Sequence, residues 1–501
     1  MLSQNTALEL TGNNSACRVR AWNHFISHWF PVLLCVYFAL QVAIRLLSSA
    51  NLGLDEAEQI IAAQSLEWGY GPQPPLYSWL VVAFFSVFGK SLFALSLLKN
   101  ATLLLGYLGV WFTAKRMGGK TFAALATASI IFLPQISWEA QRALSHSVLL
   151  FAAASWTVYV TLLCIDKPTL LRAAALGGVV AIGALAKFNY FFLLAAVLIG
   201  CLAQPAGRRL VFSRYAVISI GVAAVLLFMP ALWMVQNQDL LFSRVHKFGI
   251  HRVEEPWYAG PFSLLRASIS FIAVSLAVYL PFLFLRRSED KAPKAEVNKS
   301  ACQFLLATLL AAITVIFLAM VMSGTTVVKD RWLQPTLFVF PVILAGWAWP
   351  RMTPNRLAYV FGIAGACTLA IMIAMPINMN RDSTKRPSAH KIPSSAIAER
   401  VNANGVAVVL GEPKEFVGAV GYHLEDVTIT SHEYAALRIP FNRPVMLIWR
   451  HPRDTEAPDK LKRLYERLYG EPLSPTTATK VELPYEGRSG ATFTYYELLV
   501  E

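Results

Sequence analysis

Eleven apolar runs, each close to the thickness of a bilayer, dominate this chain, at roughly 29–47, 92–113, 121–137, 147–164, 170–186, 189–204, 214–235, 262–285, 301–322, 333–349 and 357–375. A helix needs ~20 apolar residues to cross a ~30 Å hydrocarbon core, where every backbone polar group must be bonded within the segment. The pattern therefore predicts a polytopic α-helical membrane protein with about eleven transmembrane helices. A composition of 56% hydrophobic and 15% charged residues over 501 positions agrees with that class.

Leu76 to Phe88 is a further apolar stretch, but at ~1.5 Å per residue it reaches only ~20 Å, so it reads as interfacial or re-entrant. The charge pattern supports leaving it out. Lys115, Arg116, Arg172, Arg208, Arg209, Arg286, Arg287, Arg351 and Arg356 then all share a side with Arg18 and Arg20, as the positive-inside rule requires. The expected organisation is a cytoplasmic segment 1–28, a membrane domain 29–375 whose first external loop is 48–91, and an external domain 376–501. The first run is long enough to stay as an uncleaved span behind Arg18 and Arg20.

The formal charge of +14 is explained by those short basic loops, so no nucleic-acid partner is expected. Six cysteines lie in or near apolar runs without CxxC spacing, which indicates neither a disulfide framework nor a zinc site. Beyond about Ile377 the composition changes. Strand-like stretches at 406–410, 427–430 and 445–449, with helical stretches near 394–403 and 456–469, predict a small α/β domain.

Two carboxylates, Asp55 and Glu56, open the first external loop. An ionised acid beside lipid costs several kcal/mol unless it is paired or wet, so the pair does not serve apolar packing. Asp55 suits a general base or an organiser of reacting groups; as the N-cap of an interfacial helix, with Glu58 nearby, it would instead serve structure. Pro72, Pro74 and Pro75, with Gly69 and Gly71, stiffen the loop that leads into Leu76-Tyr77-Ser78-Trp79.

Cations also gather on the external side, where they should be scarce: Arg142, His146, Lys187, Lys247, His251, Arg252, Lys329 and Arg331. Several positives converging on one face fit an anionic ligand such as a lipid phosphate; taken singly each is a solvated or snorkelling side chain, and Asp330 is placed to neutralise Arg331. Trp233, Trp257, Tyr258 and Trp332 ring the same face, as sugar-stacking platforms or as membrane-belt aromatics. His246 and His251 have no third ligand nearby, so no metal site is expected.

Asp55-Glu56, Gln73-Pro-Pro-Leu-Tyr-Ser-Trp79, Gln141-Arg-Ala-Leu-Ser-His146, Gly183-Ala-Leu-Ala-Lys187 and Asp330-Arg-Trp-Leu-Gln-Pro335 occur in this order. In them the chain resembles the bacterial protein-mannosyltransferase-like glycosyltransferases of the GT-C fold. That group includes lipid A aminoarabinose transferases and rhizobial lipid A galacturonosyltransferases. The resemblance covers about residues 30–350. It implies an inverting enzyme of the bacterial inner membrane, with a cytoplasmic N-terminus and a periplasmic C-terminal domain. Such an enzyme moves a sugar from a polyprenyl-phosphate donor to a lipid or glycan acceptor, lipid A or another cell-envelope glycan.

By that resemblance Asp55 is the catalytic carboxylate and Glu56 its neighbour at the acceptor site. Lys187, Lys329, Arg331, Arg142 and His146 become donor-phosphate ligands, and Gln73, Pro75, Tyr77 and Trp332 substrate contacts. Gln73 stands where aminoarabinose transferases carry lysine, which places the chain nearer the galacturonosyltransferase-like branch. No certain cofactor follows, and the need for a divalent cation stays open. The rival reading is a transporter or flippase of a lipid-linked or anionic solute, which should place ionisable groups near the bilayer midplane in broken helices.

Overall fold

The computed structural model describes residues 2–143, 145–241, 243, 256, 258–285, 296–381, 387–435, 437, 442–450, 456–474, 477–487 and 490–501, with side chains of the first helix from Arg18 onward. Helix α1 (Leu2–Ser48) leads into two short helices of the first loop, α2 (Leu54–Ala62) and α3 (Leu76–Phe88). There follow α4 (Leu92–Ala128), α5 (Pro134–Arg142), α6 (His146–Asp166), α7 (Leu170–Ala186), α8 (Tyr190–Leu202), α9 (Pro205–Val211), α10 (Arg214–Gln236) and the single turn α11 (Gln238–Leu241). The membrane part closes with α12 (Ala259–Leu283), α13 (Lys299–Ser323), the single turn α14 (Gln334–Leu337), α15 (Phe340–Ala348) and α16 (Pro354–Met379).

Among the described residues seven helices are long and apolar enough to cross a bilayer, or nine if each of two bent pairs counts as one span. The pairs are α8 with α9, bent by 120°, and Asp330–Leu337 with Phe340–Arg351, bent by 52°. About eleven spans were expected, and two features account for the difference. Leu170–Ala186 is too short to pass as a span by itself, and the expected runs 92–113 and 121–137 form one continuous helical stretch from Leu92 to Phe132. That stretch breaks internally at Gly118 and Gly119. Gly119 adopts φ 79°, a left-handed conformation that a side chain disfavours. Leu76–Phe88 is a short apolar helix, as its length required.

The C-terminal domain contains α17 (Ser394–Ala403), β1 (Val408–Glu412), α18 (Lys414–Gly421), β2 (Thr428–Thr430), β3 (Val445–Trp449), α19 (Asp459–Tyr469), β4 (Thr479–Pro484) and β5 (Thr492–Val500). Its sheet has the order β2-β1-β3-β5-β4. β1 is parallel to β2 and β3, whereas β5 runs antiparallel to β3 and β4. Alternating side chains serve two cores. Val408, Leu410, Val445 and Leu447 pack under α19 with Leu461 and Leu464, while Val409, Met446 and Ile448 face α18 and join the core of the membrane domain. The C-terminal domain is thus continuous with the bundle through the first loop.

Candidate active site

The first loop is built around α2. Gly53 is the N-cap, and the Glu56 carboxylate reaches back to accept its backbone N–H at 2.8 Å, so Asp55 is not the cap that one reading of the sequence made it. Asp55 is therefore released from capping duty. It lines a narrow cleft together with Gln59, Tyr77, Lys99, Arg142 and Ser145.

The two adjacent acids have opposite environments. Glu56 is buried against Arg45 of α1, at 3.1 and 2.7 Å, and Lys99 of α4, at 3.4 Å. Arg45 also donates to the carbonyls of Ser49 and Asn51, and Lys99 to that of Gln141. Although burial opposes ionisation of Glu56, Arg45 and Lys99 together hold its carboxyl well below the usual carboxylate range. It ties α1, α2 and α4 together. Asp55 retains some exposure at the cleft, yet protein encloses its carboxyl closely, and burial together with the neighbouring Glu58 pushes its pKa up to about 7, against the pull of Lys187, Arg331 and Lys99. That value suits a proton acceptor near neutral pH.

The cations named from sequence come from separate elements. Lys187 is the C-cap of α7, where the helix breaks into extended backbone, and its Nζ donates to Ser147 Oγ at 2.8 Å. Arg331 lies in the short 3-10 segment Asp330–Leu333, which Asn189 holds through a 2.8 Å bond to the Trp332 carbonyl. Asp330 bonds Gln135 at 2.5 Å and the Arg331 backbone N–H at 2.8 Å, so its carboxylate is engaged in shaping the turn. Lys329 precedes it, half-buried. Arg142 sits exposed at the cleft lip, paired with Glu139 at 2.7 Å.

His146 is buried, with Nε2 3.3 Å from Gln59 Nε2 and its ring 5.4 Å from that of Tyr77. Gln59 also accepts from Ser78 at 2.9 Å, which fastens α2 to α3 and α6. Pro75 caps α3 and Gln73 is half-buried beside it. The Gly69–Pro75 stretch is pinned by close approaches: a Cβ at Gly69 would lie 2.1 Å from the Trp233 ring, and one at Gly71, where φ is 154°, 2.5 Å from the Glu433 carbonyl. Lys247, His246, His251, Arg252, Trp257, Arg286 and Arg287 lie outside the described residues. Among the described residues no group of three His, Cys, Asp or Glu could hold a metal ion.

Reasoning from sequence missed Arg45, Lys99, Gln59 and Lys414. For the first two a signal existed: a charge inside an otherwise apolar span demands a partner. Gln59 carried none, being one amide among alanines and isoleucines.

Residues 72–234 match the family described as dolichyl-phosphate-mannose-protein mannosyltransferase. The chain is 30% identical to the lipopolysaccharide core galacturonosyltransferase RgtB of Rhizobium johnstonii over 477 residues, 91% of this chain and 94% of the relative. It belongs to the family of the rhizobial galacturonosyltransferases. RgtA of the same organism is 28% identical over 92% of this chain and 95% of its own length. Among solved structures, that of ArnT from Cupriavidus metallidurans bound to undecaprenyl phosphate shares the fold of this chain, with TM-score 0.60 and 14% identity over 94% of this chain and 98% of that one. The chain is a multi-pass membrane glycosyltransferase with the GT-C fold.

Proposed function

We propose that this transferase moves a uronic-acid sugar, of the galacturonic type, from polyprenyl phosphate to the lipopolysaccharide core or lipid A at the periplasmic face. The names of the full-length relatives RgtB, RgtA and RgtD, all galacturonosyltransferases of that glycolipid, support the sugar and the acceptor. The observation that carries the catalytic reading is Asp55. Of the two adjacent acids it is the one outside the Arg45–Glu56–Lys99 ion pairs, and it faces a cleft with Lys187, Arg331 and Lys99 near enough to act on its charge.

In this reading the acceptor hydroxyl oxygen attacks the anomeric carbon from the face opposite the phosphate. The C1–O bond to the donor phosphate breaks, polyprenyl phosphate leaves with the electron pair, and Asp55 takes the hydroxyl proton. Lys187, Arg331 and Lys329 stabilise the charge developing on the departing phosphate, with Arg142 at the cleft lip. Glu56 holds the Arg45–Lys99 pair and so fixes the helix rather than meeting the acceptor. His146 and Tyr77 line the cleft wall through Gln59, and Gln73, Pro75 and Trp332 border the sugar.

The membrane arrangement that fits this chemistry has eleven spans, a cytoplasmic segment 1–28, a first periplasmic loop 48–91 and a periplasmic domain 376–501. Splitting Leu92–Phe132 at Gly119 and letting Leu170–Ala186 cross, with the two bent pairs, supports that count. Transport is disfavoured by the position of Asp55 and Glu56 in a loop capped by a folded domain. The test is purified enzyme given polyprenyl phosphates carrying galacturonic acid, a neutral hexose or aminoarabinose, with lipopolysaccharide acceptor, read by mass spectrometry. A mass gain of one uronic acid is expected. Transfer of a neutral sugar alone would change the substrate assignment, and no turnover with any donor would return the transport reading.

A further inference from the structure

The C-terminal domain carries no recognisable catalytic motif, yet its helix α18 lies directly on the helix that presents Asp55. The approach is backbone to backbone: a Cβ at Gly418 would lie 1.9 Å from the Ala57 carbonyl oxygen. At the same junction Lys414 Nζ lies 2.6 Å from Glu58 Oε1 and 2.6 Å from Glu433 Oε2, and the Tyr434 hydroxyl donates to Glu58 Oε1 at 2.7 Å. Lys414 and Glu58 are both buried, at 6% and 8% exposure. One turn further on, Gln64 donates to the Ile429 carbonyl at 2.6 Å and accepts from its N–H at 2.9 Å.

A buried lysine with two carboxylates is a costly assembly to desolvate, and breaking one arm leaves a charge uncompensated. Its place gives it leverage. Glu58 follows Asp55 by three residues on one helix, so the two carboxylates are neighbours on its surface. Whatever holds or neutralises Glu58 therefore acts on Asp55, both in position and in field.

We propose that Lys414 is a positioning residue for sugar transfer: by compensating Glu58 it fixes the helix bearing Asp55 and keeps that carboxylate able to ionise, which makes the periplasmic domain part of the catalytic apparatus. This rests on Asp55 being the acceptor base. The charged and titratable groups that bear on Asp55 are Glu58 on its own helix, Lys99 of α4, Arg142 of α5, Lys187 at the end of α7, Arg331 of the 3-10 segment and Tyr77 of α3. Those that meet Glu58 from the C-terminal domain are Lys414 and Tyr434, with Glu433 on the far side of the lysine.

The test is the pH dependence of kcat and KM for the full-length enzyme, comparing wild type with Lys414→Met, Lys414→Arg, Glu58→Gln and the double variant Glu58→Gln/Lys414→Met. Lys414→Met should move the acid limb of the kcat profile up by about half a unit, and Glu58→Gln should move it down by about one, the order expected for a unit charge at i,i+3. Donor KM should change little. Because Lys414 acts through Glu58, the double variant should titrate like Glu58→Gln, and Lys414→Arg should restore the wild-type limb.

A Lys414→Met limb coincident with wild type, or a double variant that keeps the full Lys414→Met displacement, overturns the proposal. If Lys414→Met does not yield folded enzyme, the Glu58→Gln limb decides alone, and its failure to move is equally fatal. Activity surviving in Asp55→Asn is a separate outcome, which removes the base assignment on which the coupling depends.

Discussion

Adjacent carboxylates in one helix turn should respond to neutralisation with opposite signs. Replacing Glu56 by Gln leaves Arg45 and Lys99, each about 4% exposed, without their shared counter-charge, a change that costs ~3–5 kcal/mol in a buried pair. Replacing Asp55 by Asn removes a carboxylate that the fold disfavours. Its pKa rises from an ordinary 3.8 to about 7, and at ~1.36 kcal/mol per pH unit the ceiling on relief is ~4 kcal/mol. The side chain keeps some solvent access, which reduces that to ~1–2 kcal/mol.

The sign follows from proton linkage. The folded state holds the Asp55 proton more tightly than the unfolded chain, so its cost to stability grows as pH rises from about 4 and is complete above about 7. Glu56 is the reverse: its contribution is present above the ordinary carboxylate value and is lost as pH falls toward its depressed one. Thermal midpoints of detergent-solubilised protein, paired with turnover, check both. Asp55→Asn should be inactive and at least as stable as wild type at neutral pH, whereas Glu56→Gln should unfold well below wild type. A Glu56→Gln protein as stable as wild type but inactive would make Glu56 a group that works on the substrate, and a destabilised Asp55→Asn would make Asp55 structural.

Turnover itself should rise with pH through about 7 and level off above it, since the ionised form of Asp55 is the base; a kcat/KM profile flat across that range would contradict this. Lys187→Met and Arg331→Met should lower kcat/KM for the polyprenyl donor by about 10- to 100-fold each, in keeping with lost charge-assisted contacts to phosphate, and leave acceptor KM near wild type. Gly418→Ala should separate α18 from α2, because the obstacle is the Ala57 backbone oxygen and cannot rotate away; the expected loss is ~1–3 kcal/mol of stability, read by thermal melting.

Much of this molecule was legible in its residues, unevenly. The apolar runs identified the fold class, and three of the five strands followed from β-branched clusters at 406–410, 427–430 and 445–449. Strands Thr479–Pro484 and Thr492–Val500 escaped, the first having mostly exposed or half-exposed positions, the second interrupting its alternation with Tyr-Tyr and Leu-Leu. Helix Lys414–Gly421 escaped because it is eight residues long and carries two glycines, and those glycines are there for close approach: Gly418 to Ala57 and Gly421 to Ile429. Asp55 was found as an acid with no apolar purpose. Its difference from Glu56 was not legible, since it depends on Arg45 and Lys99 arriving from helices 11 and 43 residues away.

The most direct test of the central claim is single-turnover transfer from polyprenyl-phosphate galacturonic acid to lipopolysaccharide, comparing wild type and Asp55→Asn above pH 7 at matched folded protein. The account predicts sugar transfer by the wild type and a rate reduced by at least ~10²-fold in the variant, the scale of a lost general base. Transfer at the wild-type rate by Asp55→Asn would contradict it.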